Sequence, residues 1–594
     1  VYAIQESNSI NRAHLKYFGA GMDDIEKNVA KMQLEGLLDT LTDAKEYGSI
    51  LNVESYNWEL LRRCVAAEDT AGQISMDSMG VEDTAEQLNR LIDIGETMAR
   101  KYWVTCTNPP YMGSNSMGAQ LFDFIANNYL SGKTDLFAAF IEKCVRLARQ
   151  SGKVAMITQQ GWMFLTSYQD LRKVVQGKQI DSLIQLGARA FDEISGEVVQ
   201  TCAFILSNAH IANYVSPFVR LVEFSGELGK EKEFFNKNNL FNQKAELFNA
   251  IPGAPIAYWC SKRIFDIFKE SKTLSSMLTP RQGVKTLDNN RFLKVWFEVM
   301  FSHIGFGAQT LDIANSMKRK WFPYNKGGTA IKWYGNKDYV VNWENDGAEM
   351  KAFAIQKYNS VTRTITNIPY FFLQGITWSD VSTGNIAVRF AEAGSMFDST
   401  GIMAFGNEDE LQYIIALMNS NVMMLFLRIL APSLHFNGGA INNVPLIYCK
   451  ERATEIGQYS VQSESLAKDV WDSFETSWDF KKHPLIRNVS TISEAFTQWQ
   501  SECDDRFNQL KANEEELNRI FIDIYGLQDE LTPEVEDKDI TVRKADLQRD
   551  IKSLLSYAVG CMFGRYSTYK DGLLFAGEPY SLQAFVDKMN DRPG

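Results

Sequence analysis

The sequence predicts an α/β protein in which a Rossmann-like, doubly wound sheet comes first, followed by a mixed α/β domain and a helical C-terminal region. Two observations support this order. Up to about residue 210, short β-branched runs alternate with amphipathic stretches, as in a parallel sheet with helices on its faces. After residue 450, long polar stretches with helical spacing replace them. With 594 residues, 45% of them hydrophobic, the chain can bury more than one core.

The N-terminal region is predicted to be helical, with residues 22–100 forming a helical insertion. Helical spacing is shown by Ile25, Val29, Met32, Leu37 and Leu41. Just before them, Gly19 and Gly21, followed by two aspartates, imitate a glycine-rich nucleotide-binding loop. Such a loop closes a buried strand, whereas the residues that precede Gly19 are largely polar. A loop or helix end is therefore favoured, and a cofactor-binding role for Gly19 and Gly21 is the alternative.

A strand is predicted over residues 102–107, and it ends directly at Asn108-Pro109-Pro110-Tyr111. In doubly wound folds, ligands bind beyond the carboxyl ends of the strands. The two prolines have φ fixed at about −65° and lack an N–H group, so they form a rigid turn. The pattern therefore places an amide side chain, a free carbonyl group and an aromatic ring at one edge of the sheet.

This tetrapeptide resembles the catalytic motif of enzymes that methylate a planar amide or an aromatic amine. In those enzymes the Asn oxygen and the first Pro carbonyl accept the two amine hydrogens, so the nitrogen lone pair can turn toward the methyl donor. The resemblance assigns these roles to Asn108 and Pro109, with Pro110 completing the turn. Tyr111 would stack on a base that is flipped out of the duplex. An ordinary loop is the alternative interpretation of the motif.

Further elements of the sheet are predicted downstream. The patterns indicate a helix over 135–145 and strands over 152–158, 180–187 and 199–206, the last as an antiparallel strand at the sheet edge. Residues 191–197 are expected as a polar loop at the end of the sheet that carries Asn108. The aromatic-rich turn 160–165 either lines a base pocket or packs in the core, and the sequence does not decide between these.

The middle of the chain is locally basic. Residues 277–340 contain ten Lys and Arg against four Asp and Glu, whereas the whole chain has a net charge of −12. A basic segment is typical of phosphate binding. The candidate DNA-binding residues, in loops over 280–286, 318–328 and 358–367, are Arg281, Lys285, Lys318, Arg319, Lys320 and Arg363. For any single one of them, a solvated basic face is the alternative.

Four stretches of the sequence resemble the PglX family, the adenine-specific DNA methyltransferases of BREX phage-defence systems. They are residues 108–114, 133–137, 185–192 and 472–480. The resemblance implies a class I methyltransferase sheet, S-adenosylmethionine as cofactor, and N6-adenine methylation at a short site in double-stranded DNA that marks host DNA as self. It also implies protein partners in a defence complex. Because family members carry the cofactor loop upstream, the chain is expected to be a fragment.

On this basis the chain is divided into four regions. Residues 1–210 are expected to be the C-terminal part of the methyltransferase domain and 211–275 a helical connector. Residues 276–450 are the expected target-recognition domain, with one helix over 411–430. Residues 451–594 are the expected helical region, whose acidic clusters, such as Glu514-Glu515-Glu516, favour contact with protein rather than DNA.

The cysteines and the hydropathy pattern indicate a reducing, non-membrane environment. The eight cysteines form no CxxC pair and do not cluster with the five histidines, so neither a metal site nor a disulfide framework is expected. The longest apolar stretch is interrupted by Arg428 and is too short to span a bilayer. A cytoplasmic protein without membrane contact is the expectation.

Three alternative functions remain open at this point. Enzymes that methylate a glutamine amide on a protein carry the same tetrapeptide, but they are compact and lack a large basic appendage. A fused restriction enzyme would need a nuclease core, and no paired acid-and-lysine pattern is evident here. The third alternative is a non-catalytic DNA-binding and assembly module of a restriction-modification-like system.

Overall fold

A computed structural model describes residues 2–67, 79–190, 199–381, 384–432 and 435–590. The chain folds into two compact units, residues 1–260 and 261–594. Its α/β character, predicted from the alternation of strand and helix patterns, is confirmed. The polar loop expected over 191–197 lies outside the described residues.

Helices precede the first strand. They are α1 (Asp24–Thr40), α2 (Ala44–Tyr47), α3 (Trp58–Ala66) and α4 (Val81–Ala99). Helix α1 begins at Asp23, whose side chain accepts hydrogen bonds from the Ile25 and Glu26 amides, and this confirms the helix predicted from residue 25 onward. The apolar faces of the helices share one core, in which Leu34, Leu61 and Ile92 are fully or almost fully buried.

The remaining elements of the first unit build a six-stranded sheet with helices. They are β1 (Tyr102–Thr107), α5 (Ala119–Asn128), α6 (Leu136–Leu147), β2 (Ala148–Gln159), α7 (Gln169–Gln176), β3 (Gln179–Gly187), β4 (Thr201–Ser207), β5 (Val215–Arg220), α8 (Glu227–Phe234) and β6 (Leu240–Lys244). The strand order is β1-β2-β4-β3-β5-β6. β1 and β2 are parallel, as are β3 and β5, and β4 is antiparallel to both of its neighbours. The carboxyl ends of β1, β2, β3 and β5 therefore lie on one edge.

Two features of this sheet differ from the sequence prediction. β4 is antiparallel as expected, but it lies between β2 and β3 instead of at the edge. The expected helical connector over 211–275 contributes β5 and β6 to the sheet. Both differences have the same cause, since strand order depends on pairing between distant segments. In addition, β5 contains Pro217, which weakens its strand pattern.

The two faces of the sheet are covered unequally. Helices α6 and α7 pack on one face, where Val154, Met156 and Leu183 are buried. On the other face Val104 and Ile205 remain 61% and 41% exposed. Strand β1 also pairs with β2 alone among the strands that the structure describes. An apolar face and a free strand edge of this kind are usually covered in a folded protein.

The second unit contains smaller sheets and most of the long helices. Its elements are α9 (Lys262–Glu270), β7 (Lys272–Thr273), β8 (Thr279–Arg281), α10 (Asn289–Phe292), β9 (Leu293–Val295), α11 (Leu311–Ser316), β10 (Trp321–Asn325), β11 (Tyr339–Asn342), α12 (Glu344–Tyr358), β12 (Gly375–Ser379), β13 (Arg389–Ala391), β14 (Met396–Phe397), β15 (Gly401–Phe405), α13 (Glu408–Met418), α14 (Asn421–Leu430), α15 (Gly438–Asn442), β16 (Pro445–Leu446), α16 (Ala453–Trp471), α17 (Ile492–Tyr525), α18 (Leu547–Met562) and α19 (Leu582–Asn590). The sheets have the orders β14-β10-β11-β9, β13-β12-β15-β8 and β16-β7.

The single helix expected over 411–430 is two helices, α13 and α14, which are bent by 69° at the break between them. Ser420 causes the restart, because its hydroxyl accepts the Met423 amide as the N-cap of α14. Asn419 holds the break in place through hydrogen bonds to the Val388 backbone. Among the described residues, no single helix is long and apolar enough to cross a membrane, and this bent pair passes that test only when its helices are taken together.

A buried ion pair joins the small sheets of the second unit to helix α17. Lys332 Nζ lies 2.6 Å from Glu514 Oε2, and the two side chains are 9% and 3% exposed. Trp333 Nε1 donates to the other carboxylate oxygen at 2.8 Å. A buried ion pair of this kind adds little stability compared with apolar side chains in the same two positions. The loss of one partner, however, leaves an unpaired buried charge.

We therefore expect Glu514→Gln to lower the free energy of unfolding by about 3 kcal/mol, since the amide can still accept from Trp333 but cannot neutralise Lys332. The measurement is urea denaturation of the chain followed by tryptophan fluorescence. The matched control is Glu516→Gln on the same helix, which removes a half-buried partner of the exposed Arg519 and should change stability far less. Equal effects of the two substitutions would contradict this account.

Candidate active site and nucleic-acid interface

The motif Asn108-Pro109-Pro110-Tyr111 begins immediately after β1, at the edge where the carboxyl ends of the four co-directional strands lie. Asn108 is exposed, whereas Pro109 is buried and anchors the turn. The Asn108 side-chain amide is thus accessible to a ligand, and its backbone is anchored by the buried Pro109. This is the position expected from the sequence for a ligand-binding residue.

Tyr111 is held beside Asn108 in a neutral form. Its hydroxyl group donates to Asn108 Oδ1 at 3.4 Å, and its ring meets the buried Phe137 ring edge-on, with centroids 6.0 Å apart. Burial raises the pKa of Tyr111 to about 12, with a smaller contribution from Cys202. The phenol therefore offers an uncharged aromatic face next to an amide acceptor.

Asp135 fixes the end of this loop and was not singled out from the sequence. Its carboxylate oxygen Oδ1 accepts the Met112 and Phe137 amides, each at 3.1 Å, and the Leu136 amide donates to the Met112 carbonyl at 2.9 Å. Asp135 is only 7% exposed, and this burial raises the pKa of its carboxyl group. One buried side chain therefore caps helix α6 and at the same time holds the residue that follows Tyr111.

The aromatic turn over 160–165 packs in the core through its first half, and its role in a base pocket stays a prediction. Trp162 and Met163 are fully buried, and Trp162 Nε1 donates to the Thr158 hydroxyl at 3.1 Å. Phe164 and Leu165 remain partly accessible, and Phe164 packs against Trp259 with ring centroids 5.7 Å apart. The first half of the turn is core, and only the second half can contact a ligand.

A buried amide network lies along the same edge of the sheet. Tyr258 donates to Gln185 Oε1 at 2.7 Å, and Gln185 Nε2 donates to Gln160 Oε1 at 3.0 Å. Gln160 in turn donates to the side chain of Gln200. The network joins the ends of β2 and β3 to the start of β4. Glutamines placed singly in strand patterns are the only signal in the sequence, and it is too common to have identified them.

Gly19 and Gly21 lie far from this edge along the chain, between a 3-10 turn (Arg12–Tyr17) and helix α1. The Gly19 amide donates to the Cys64 and Ala67 carbonyl groups, and the Ala20 amide also donates to Ala67. No strand precedes the loop among the described residues. The arrangement matches the favoured interpretation of a loop, and these amides are not free to bind a phosphate or a carboxylate.

An apolar groove of about 390 Å³ adjoins Asn108 on the uncovered face of the sheet. Its walls include Cys106, Ala155, Ile157 and Ile205. None of the described residues that line it is charged, so it is suited to packing against apolar groups rather than to binding an ion.

In the second unit, the structure brings together two of the basic stretches singled out from the sequence. Val284 and Ile365 form an isolated β-bridge, and the Lys285 amide donates to the Thr364 carbonyl at 2.7 Å. Arg281 and Lys285 therefore share a surface with the residues around Arg363. The Arg363 guanidinium lies over the Tyr358 ring, 4.7 Å from its centroid.

The third basic stretch is separate from these two. Lys318, Arg319 and Lys320 precede β10, and Lys320 Nζ lies 3.9 Å from Glu344, the first residue of α12. Arg363 lies just beyond the other end of that helix, which ends at Tyr358. Helix α12 thus separates the third basic stretch from Arg363, and the Glu344 carboxylate partly neutralises the charge of Lys320.

Comparisons with known proteins agree with the motif analysis. The model of the Eco57I restriction-modification methylase family matches residues 16–191. Over 93% of the chain, the sequence is 40% identical to adenine-specific methyltransferase PglX of Lacticaseibacillus casei, and over 91% it is 32% identical to adenine-specific methyltransferase BrxX of Escherichia coli. The resemblance to PglX is therefore confirmed. The chain spans about half of these relatives, 47% and 45% of their lengths.

Among solved structures, the type IIL restriction-modification enzyme MmeI in complex with DNA is similar to this chain with a TM-score of 0.46. The two share 12% sequence identity, and the match covers 80% of this chain and 59% of MmeI.

We expect Asp135→Ala to free the Asn108–Tyr111 loop, because it removes the acceptor shared by the Met112 and Phe137 amides. Hydrogen exchange of both amides should accelerate by about fivefold or more, which corresponds to a loss of roughly 1 kcal/mol at the helix cap. Asp135→Asn keeps the acceptor oxygen and should exchange nearly as slowly as the wild type. The matched control is Asp23→Ala, which removes the cap of α1 and should leave these two amides unaffected.

Proposed function

We propose that this relative of PglX forms the base-holding and DNA-recognising part of a site-specific DNA adenine methyltransferase. The reaction is methyl transfer to N6 of an adenine that is flipped out of the duplex, marking host DNA as self in phage defence. The observation that carries the proposal is the position of Asn108 and Tyr111 on a clamped loop at the carboxyl edge of the sheet. The 40% identity to an adenine-specific methyltransferase supports it.

The chain's own residues hold and orient the target base. Asn108 Oδ1 and the Pro109 carbonyl oxygen accept the two amino hydrogens, so the nitrogen can pyramidalise and expose its lone pair. These acceptors act most strongly when positive charge develops on the amine, which is in the transition state. Tyr111 stacks on the base, and its raised pKa keeps its ring uncharged at neutral pH. The amine needs no strong base, and none adjoins Asn108 in the contacts described above.

The described residues do not by themselves complete a site for S-adenosylmethionine, which supplies the methyl group in the proposed reaction. The amides of Gly19 and Ala20 are occupied by backbone carbonyl groups, and they lie outside the catalytic edge. We therefore assign no cofactor-binding residue in this chain. In the whole protein, the free edge of β1 and the groove beside Asn108 are where additional strands and the cofactor would pack.

The second unit would bind the duplex and choose the site. It contains the basic segment, and its cations Arg281, Lys285 and Arg363 have no carboxylate within salt-bridge distance among the described residues. Free cations of this kind attract phosphates. Protein partners of a defence complex would bind elsewhere, and the acidic faces of the C-terminal helices are suited to such contacts.

A non-catalytic DNA-binding module is the second candidate function. The observation that favours it is the basic segment of the second unit, which can bind a duplex without methyl transfer. A protein-glutamine methyltransferase is less well supported, because it gives no role to the basic segment of the second unit.

We expect Asn108→Ala to abolish methylation while DNA binding is retained, since the lost acceptor is used mainly in the transition state. The measurement is modified-base sequencing of DNA from cells that express the natural gene product containing this sequence together with its neighbouring genes. The control is Asn127→Ala, an exposed asparagine on helix α5. N6-methyladenine that persists in the Asn108→Ala strain would refute the catalytic assignment. If no strain carries the mark, the binding-module function is favoured.

We expect Ala substitution of Lys318, Arg319 and Lys320 together to weaken DNA association and to flatten its salt dependence. The slope of log K against log salt should fall by about 2, because each phosphate contact contributes roughly 0.9 and Lys320 is partly paired with Glu344. Fluorescence anisotropy with a duplex between about 50 and 200 mM salt measures it. Lys538→Ala, on an exposed lysine paired with Glu536, is the control. An unchanged slope in the triple variant would exclude this patch.

A further inference from the structure

The Arg281 guanidinium group is held by an aromatic ring and by two hydrogen bonds. It lies over the Tyr370 ring, 5.1 Å from the centroid, and Nη2 is 3.5 Å from the Tyr370 hydroxyl. Nη1 donates to the Pro280 carbonyl at 3.3 Å. No carboxylate lies within salt-bridge distance of it among the residues that the structure describes. The group is therefore fixed but not neutralised.

The support beneath Arg281 is a chain of aromatic rings that runs into the core. Tyr370 packs on Phe405 with centroids 4.8 Å apart, and Phe405 packs on Phe397 at 5.7 Å. Phe397 meets Phe371 at 5.6 Å, and Phe371 meets Trp343 at 5.5 Å. Phe405 is 9% exposed, and the deeper rings are almost fully buried. The position of Tyr370 is thus set by the core, and Tyr370 in turn holds the Arg281 guanidinium group in place.

The loops around Arg281 are also fixed. The carbonyl oxygen of the next residue, Gln282, accepts hydrogen bonds from the Thr366 hydroxyl and the Asn367 side-chain amide, both at 2.8 Å. On the other side, a Cβ added to Gly438 would lie 3.0 Å from Pro280 Cβ, so the turn that begins α15 packs tightly against β8. Three segments that are distant in the sequence therefore meet at Arg281.

We infer that Arg281 is a specificity-determining residue that reads one guanine of the target site in the major groove. Both terminal nitrogens keep N–H groups that are not used within the protein, and guanine presents two acceptors, O6 and N7, at the spacing of that fork. This inference rests on the proposed function, because it assumes that the second unit recognises duplex DNA.

The support of the Arg281 guanidinium group favours contact with a base over contact with a phosphate. An exposed cation such as Lys285 can bind a phosphate, and a rigid support adds little to that contact. Discrimination between base edges requires donors held in a defined orientation, which the aromatic support provides. Arg291 is the contrasting case within the same unit, since it also lies over aromatic rings but is paired with Glu349 at 2.7 Å.

The test is selection of binding sites from a random duplex library by the purified full chain, which requires no methylation. The wild-type chain should enrich a motif with a guanine that Arg281→Ala no longer selects. Arg281→Lys keeps the charge but lacks the fork, so it should also lose that guanine while the salt dependence is retained. Arg291→Ala should enrich the complete motif. A motif that keeps every guanine in Arg281→Ala, or the absence of any enriched motif with the wild-type chain, would overturn the inference.

A second measurement identifies the contact itself. Substitution of that guanine by 7-deazaguanine removes the N7 acceptor and should weaken wild-type binding by about tenfold, within the 5- to 150-fold range of a good bidentate contact. Arg281→Ala should bind the two duplexes equally.

The two proposals can fail separately. If the selection succeeds but no strain in the Asn108 experiment carries methylated DNA, the catalytic proposal fails and the assignment of Arg281 stands. If methylation is found at a site whose guanines are all retained by Arg281→Ala, only the assignment of Arg281 fails.

Discussion

The hydrogen bonds that Asp135 accepts from the Met112 and Phe137 amides constrain the loop that carries the proposed catalytic residues. The turn leaves β1 at the surface, and its own prolines can donate no hydrogen bond that would tie it down. Asp135 accepts the amides of Met112 and Phe137 with one oxygen, so the turn is fixed to the start of helix α6. The orientation of Asn108 and Tyr111 then follows from the packing of α6 on the sheet, where Phe137 supports the Tyr111 ring.

The direction of the strands explains why the other functional groups collect beside this turn. Because β1, β2, β3 and β5 run the same way, the aromatic turn after β2 and the amide network at the ends of β2 and β3 lie on the same edge. Antiparallel β4 brings its start, next to Gln200, to that edge as well. The same sheet leaves one edge of β1 unpaired among the described strands, and its face near Val104 is uncovered. The chain thus presents the proposed site together with surfaces suited to further packing.

In the second unit, aromatic packing keeps a charged side chain rigid at the surface. An arginine on a flexible stem loses conformational entropy on binding unless it is held beforehand. The aromatic chain from Trp343 to Tyr370 supplies that rigidity to Arg281, and the buried Lys332–Glu514 pair connects the small sheets with the long helix α17. Among the described residues, Lys318 and Arg319 have neither an aromatic support nor a buried ion pair, which suits phosphate contacts that tolerate movement.

Features that depend on local chemistry could be predicted from the sequence alone. Hydrophobic spacing predicted α1 and α6, a β-branched and aromatic run predicted β1, and the Asn-Pro-Pro-Tyr motif, with its resemblance to adenine methyltransferases, is the basis of the proposed site. Only the tertiary structure decided the strand order, because the central place of β4 and the addition of β5 and β6 result from pairing between distant segments. Asp135 and Tyr370 could not be identified beforehand for the same reason. A buried aspartate and a surface tyrosine acquire their roles from partners that lie 23 and 89 residues away in the chain.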